Sequence, residues 1–280
     1  MGALAEPKID CHNHIFDPER YPYSAEARYR PAGQEIGTEA QMHRLCDAYQ
    51  VRHCLVVQPN SGYGPDNRCL LDAIARSRGR FKGIAVVAND AGLGELRDLQ
   101  AQGIIGIAFN ATYHGTEHYQ DIGPLLTRMS ALGLLAQVQV EGDQLVELLP
   151  LLDRSDAAIV IDHCGRPDMT QRLDAPGRRA LHRLARREHS AIKLSGHYKF
   201  SREPFPHRDV WPVIHDLVAH FGFDRCVWGS DWPFLRAKER IDYGPLLQLV
   251  DLLYPNADDR RKLLWDTPCR LFGFSPETLR

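Results

Sequence analysis

Four residues have types and settings that could do chemistry: His12 and His14 in DCHNHIFD, His163 in IDHCGRPD, and Asp231 in WGSDWPF. An imidazole can bind a cation, move a proton or donate a hydrogen bond, and a carboxylate can accept a proton or ligate a metal. On an extended strand, residues two apart share one face and lie ~7 Å apart. His12 and His14 can therefore act on one object. Asp231 would be costly to bury without donors or a metal. Taken singly, each has a plain structural explanation: a chance HxH, a turn or cap aspartate, a core histidine bonded to a carbonyl. Taken together, they point to acid–base or metal-assisted hydrolysis.

Such residues need elements that bring distant stretches of chain together. Eight short apolar runs recur: KIDCHNHI, HCLVVQ, FKGIAVVA, GIIGIAFN, GLLAQVQV, AIVIDHCG, AIKLSGHY and CVWGSDW. Between them, residues 38–50, 66–78, 121–132 and 209–221 carry apolar residues at helical spacing. Strands apolar nearly throughout and alternating with helices predict parallel pairing covered on both faces, and eight such units close into a (β/α)8 TIM barrel. Several runs end in His, Asp, Lys or Arg. The C-terminal ends of barrel strands are where this fold keeps its chemistry. A doubly wound open sheet is the alternative, but the G-x-G-x-x-G turn of its dinucleotide-binding forms is absent. With no linker or low-complexity stretch, residues 1–280 are expected to form a single domain.

Composition narrows the partners. The chain of 280 residues is 44% hydrophobic and 25% charged with a net charge of −2, which suits a globular core and gives no basic field for nucleic acid. The basic cluster Arg178-Arg179 to Arg186-Arg187 reads as a solvated helix face. No apolar run has a membrane-spanning length, so a cytoplasmic protein is expected. Seven cysteines without a CxxC pair are expected to be buried thiols.

HxH on the first run, His163 on the sixth and Asp231 on the eighth resemble the amidohydrolase superfamily, of the amidohydrolase-related type. The phrases DCHNHIFDP, RYRP, YGPDNRCLLDAI, IDHCGRPD, KLSGHYKFS, WGSDWPF and CRLFGF resemble its branch of 2-pyrone-4,6-dicarboxylate lactonase and sugar-lactone hydrolases. The resemblance implies an amidohydrolase-like barrel that opens a carboxylated lactone by water attack on the ester carbonyl. It implies catalysis by His12, His14 and His163 as oxyanion donors with Asp231 as base, and substrate binding by Tyr29, Tyr63, Arg166 and Lys199. In most of the superfamily a metal is held by the HxH pair, a fourth- or fifth-strand ligand and the eighth-strand Asp. Here the fourth and fifth runs offer Asn110, Gln137 and Gln139. No cofactor is therefore expected. If zinc binds, His12, His14 and Asp231 would hold it. Ala108 stands where pyrone-dicarboxylate relatives carry Arg, and Tyr113, His114 and His118 follow, which fits another acidic lactone. The expected partner is that small molecule, with no nucleic acid or membrane and with a homo-oligomer left open. Competing readings are a zinc-dependent hydrolase or decarboxylase of the same superfamily and a non-catalytic barrel that binds a small acid.

Overall fold

The computed structural model describes residues 2–172 and 174–275. All eight apolar runs become strands: β1 Lys8–Asn13, β2 Val51–Val57, β3 Phe81–Ala85, β4 Ile104–Asn110, β5 Leu135–Gln139, β6 Ile159–Ile161, β7 Ser190–Lys193 and β8 Cys226–Val227. They form one sheet in the order β1 to β8. The pairs β1–β2, β2–β3, β4–β5, β5–β6 and β6–β7 are parallel. The segment after β8 then runs beside β1: Cys11 N–H donates to Trp228 O at 3.1 Å, Asp231 N–H to His12 O at 2.7 Å and His14 N–H to Trp232 O at 2.8 Å. The fold is a (β/α)8 barrel, as the alternation of apolar runs and helices predicts.

Contact density divides the chain into two units, one of Met1–Val86, Gln102–Ile104 and Val227–Arg280, the other of Val87–Ala101 and Ile105–Cys226. In the first, Ile9, Leu55, Val56 and Ile84 of the strands are buried with Met42, Leu70 and Ile74 of the helices. The helix Glu39–Ala48 starts where Thr38 and Gln41 make a capping box, which satisfies two orphan N–H groups. In the second, Ile107, Val138, Ile161 and Ile192 are buried with Leu181, Ile214 and Leu217. The helix Trp211–Phe221 begins with Pro212 in its first turn and stops at Gly222, whose φ of 70° ends the helical hydrogen bonding.

Two expectations meet side chains directly. Six cysteines are buried and Cys269 is half-buried, all as free thiols, as expected. The arginine cluster is only partly a solvated face. Arg178 is buried, and Arg187 donates to Leu152 O at 2.5 Å, a carbonyl in the last turn of the helix Gln144–Asp153, and to Ser155 O at 2.8 Å in the loop beyond it. Sequence spacing shows which side of a helix a cation lies on, but not whether orphan carbonyls wait there. Among the described residues, no helix is long and apolar enough to cross a membrane.

Candidate active site

In the first unit, β1 carries Asp10 and His12 and leads directly into His14, with a shift of register against β2 between Asp10 and Asn13. The rings of His12 and His14 stand edge-on with centroids 5.0 Å apart. Asp231 sits in the turn after β8, 1% exposed and with a left-handed φ of 62°. A non-glycine residue there costs about 1–3 kcal/mol and is kept only where its surroundings hold it. Here its N–H is tied to His12 O and its carbonyl accepts from Phe234 N–H at 2.9 Å. As a result, Asp231 Oδ1 faces His12 Nε2 at 3.7 Å and His14 Nε2 at 3.6 Å. These gaps are too long for hydrogen bonds. They bring two nitrogens and one oxygen around one spot. His14 Nδ1 donates to Val57 O at 2.8 Å, so in the neutral ring the lone pair is on Nε2, facing Asp231.

Asp10 holds this arrangement in place and escaped the sequence reading. Its buried carboxylate accepts from Ser230 N–H at 2.9 Å, Ser230 Oγ at 2.6 Å, Tyr243 Oη at 3.1 Å and His12 N–H at 3.2 Å. Burial still raises its pKa, against the lowering effect of those donors. One carboxylate thereby fixes the backbone beside both His12 and Asp231. Plain alternation in the sequence does not reveal this role, because the strand register shifts between Asp10 and Asn13. Gly229 leaves room for this approach, since a Cβ there would lie 2.7 Å from His12 Cβ and 2.8 Å from His12 N.

In the second unit, His163 follows β6 and opens a run of four left-handed residues, with φ of 49° at His163, 58° at Cys164, 70° at Gly165 and 42° at Arg166. Only Gly165 adopts that conformation cheaply. The turn is closed by Gly165 N–H to Asp162 O at 2.8 Å and Arg166 N–H to His163 O at 2.9 Å. His163 Nδ1 is hydrogen-bonded to Ser195 Oγ at 3.0 Å, which orients the ring. Gly196 must be small, because a Cβ there would stand 2.6 Å from His163 Nδ1.

Beneath His163, Lys193 Nζ lies 3.1 Å from Asp162 Oδ1 and donates to Gln137 Oε1 at 2.6 Å, while Gln137 Nε2 donates to Asp162 Oδ2 at 2.9 Å. All three are buried. The fifth-strand amide is thus committed to a buried ion pair. Gln139 donates to Thr112 Oγ1 at 2.9 Å, and Asn110 Oδ1 caps the next short helix by accepting from Tyr113 N–H at 3.1 Å. His114 and His118 stack with centroids 4.5 Å apart.

The remaining expected site residues have these settings. Arg166 pairs with Glu141 at 2.9 Å and is partly exposed. Lys199 Nζ lies over the Tyr198 ring at 5.1 Å. Tyr29 donates to Glu35 and has the Arg236 guanidinium 4.3 Å above its ring. Tyr63 is buried against Phe16, and its hydroxyl accepts from Asp17 N–H at 3.0 Å.

His197, after β7, predicts a pH dependence of stability. Burial first, and the nearby His207 second, push its imidazole down to about 3. An unfolded histidine titrates near ~6.5, so below that pH the unfolded chain binds a proton that the folded chain refuses. The stabilisation is complete above that pH and is lost as pH falls toward the folded value, by about 1.4 kcal/mol per pH unit. Urea midpoints at pH 7 and pH 5 should therefore converge in His197→Gln relative to wild type. An unchanged gap would refute the assignment.

The amidohydrolase family profile matches residues 9–274. The chain is 32% identical over 272 residues to the 4-sulfomuconolactone hydrolase of Hydrogenophaga intermedia, covering 94% of this chain and 88% of that protein. It is 30% identical over 278 residues to a 2-pyrone-4,6-dicarboxylate hydrolase of Comamonas testosteroni, covering 94% of this chain and 89% of that one. A crystal structure of a probable 2-pyrone-4,6-dicarboxylic acid hydrolase from Acinetobacter baumannii, with citric acid bound, superposes with a TM-score of 0.84 at 28% identity, covering 96% of this chain and all of that one. A barrel that carries HxH on its first strand and a buried aspartate after its eighth, matched along nearly its whole length, belongs to the amidohydrolase family.

Proposed function

We propose that the chain hydrolyses the ring ester of a small carboxylated lactone, with Asp231 as the base that takes a proton from the attacking water. The observation that carries this reading is the buried Asp231 carboxylate, held by a left-handed turn against two imidazole nitrogens. The similarity to lactone hydrolases supports it. His12, His14 and His163 donate to the carbonyl oxygen as it becomes an oxyanion, and Asp231 returns its proton to the leaving ring oxygen. Because Val57 O takes the Nδ1 proton, His14 donates from Nε2 only when it carries both protons.

Arg166 and Lys199 bind the substrate's carboxylate, and the hydroxyls of Tyr29 and Tyr63 supply polar contacts from loops. Glu141 already neutralises Arg166 on one side, so an incoming carboxylate shares or displaces that pair. Ala108 and the stacked His114 and His118 favour an acidic lactone other than the pyrone dicarboxylate.

The lone-pair-bearing Nε2 of His14 favours a second reading. His12, His14 and Asp231 present a donor set of two nitrogens and one oxygen that fits zinc, and no fifth-strand ligand joins them because Gln137 is committed to Lys193 and Asp162. When bound, such an ion supplies a Lewis acid for the carbonyl and an acidified water.

The experiment is a panel of acidic and neutral lactones followed by proton release, run with wild type and Arg166→Met. Loss of the guanidinium should raise KM for acidic lactones at least ~10-fold, one charge-assisted contact's worth, and leave kcat within a few-fold. Failure to open any lactone would overturn the function. Unchanged KM would remove Arg166 from the clamp.

A further inference from the structure

A second cluster of potential ligands lies on the helices Pro176–Leu184 and Trp211–Phe221 of the second unit. His182 comes from the first helix, and Asp216 and His220, one turn apart, come from the second. His182 Nε2 reaches Asp216 Oδ2 at 2.6 Å. His220 Nδ1 lies 3.4 Å from Asp216 Oδ1 and donates to Asp216 O at 2.9 Å. The two rings stack with centroids 3.6 Å apart and planes 5° from parallel. One donor atom from each of the three residues falls within 4.8 Å of the others.

We propose that His182, Asp216 and His220 form a binding site for a zinc-like divalent transition-metal ion that cross-links the two helices. Donors bonded to zinc at ~2.0–2.2 Å are separated by a little over 3 Å in tetrahedral geometry, so small rotations of partly exposed side chains suffice. The side chains of His182, Asp216 and His220 are 24%, 30% and 41% exposed, which lets water fill the remaining coordination and spares the cost of full burial. The donor set selects the ion. Two imidazoles and one carboxylate suit zinc, cobalt, nickel or copper, whereas magnesium and calcium need an oxygen shell. The nearby charges argue the same way. Arg178, one turn before His182, is close enough for Asp216 to act on it and offsets the single carboxylate, so charge alone would not hold a cation here. Nitrogen coordination must supply the affinity.

The test uses the full-length chain, stripped with a chelator and dialysed, in the background of His12→Gln/Asp231→Asn so that the first unit's donors are removed. Titration with zinc chloride should show one ion per chain at micromolar or tighter affinity, and saturating zinc should raise Tm by roughly 5 °C. Adding His182→Gln/His220→Gln should weaken binding at least ~30-fold and abolish the Tm rise, and Asp216→Asn alone should weaken it several-fold. Magnesium at the same concentration should leave Tm unchanged. No micromolar zinc binding, binding indifferent to the histidine pair, or an equal shift with magnesium would each overturn the proposal.

Discussion

Asp231→Asn is expected to fold normally and to lose at least ~100-fold in turnover on whichever acidic lactone the wild type opens, the lower end of what a positioned general base contributes. Asparagine keeps the shape of aspartate, and it tolerates the left-handed φ of 62° better than most residues, so the turn survives. What disappears is the oxygen that accepts the proton. An equal fall in kcat and kcat/KM, with an unchanged urea midpoint, would mark an interaction made only in the transition state. Turnover within ~3-fold of wild type would move the base elsewhere. The same substitution removes one donor of a metal site, so the wild type should also be assayed after exhaustive chelation. Activity retained without metal supports the imidazole-based oxyanion site, and loss that zinc restores supports the second reading.

The largest loss of stability is expected from Lys193→Met. The ammonium is fully buried between Asp162 and Gln137, and removing it leaves a buried carboxylate with only part of its compensation. Breaking such a pair typically costs about 3–5 kcal/mol, whereas removing both charges is far milder. Urea unfolding of Lys193→Met should show a midpoint reduced accordingly at unchanged m. The double change Lys193→Met/Asp162→Asn should recover a large part of the loss. A single variant as stable as wild type would mean that water reaches the pair.

The strands were legible because parallel strands covered on both faces are apolar nearly throughout, as in HCLVVQ and GIIGIAFN. Helix limits followed from spacing to within two residues or so, as in 38–50 against Glu39–Ala48. The functional residues read as candidates were those whose types announce chemistry. Asp10, Ser230 and Tyr243 announced nothing, because a carboxylate, a hydroxyl and a phenol acquire meaning only from partners as far as 233 positions away. Gln137 was read as a missing metal ligand. It is also half of a cradle for Lys193, a partner its neighbours in sequence do not suggest.

The carboxylate of Asp10 also bears on how the enzyme comes into being. Its donors at Ser230 stand 220 residues later in the chain, so a ribosome delivers the acceptor long before the groups that satisfy it. Contacts of such separation close late and slowly. Until they form, a nascent chain carries an aspartate that cannot be buried cheaply, which holds the first strand in contact with water and discourages premature collapse around an incomplete sheet. The link from the first strand to the turn after the last is therefore also a closure signal: the spacing of His12 and Asp231 exists only once synthesis has passed residue 231.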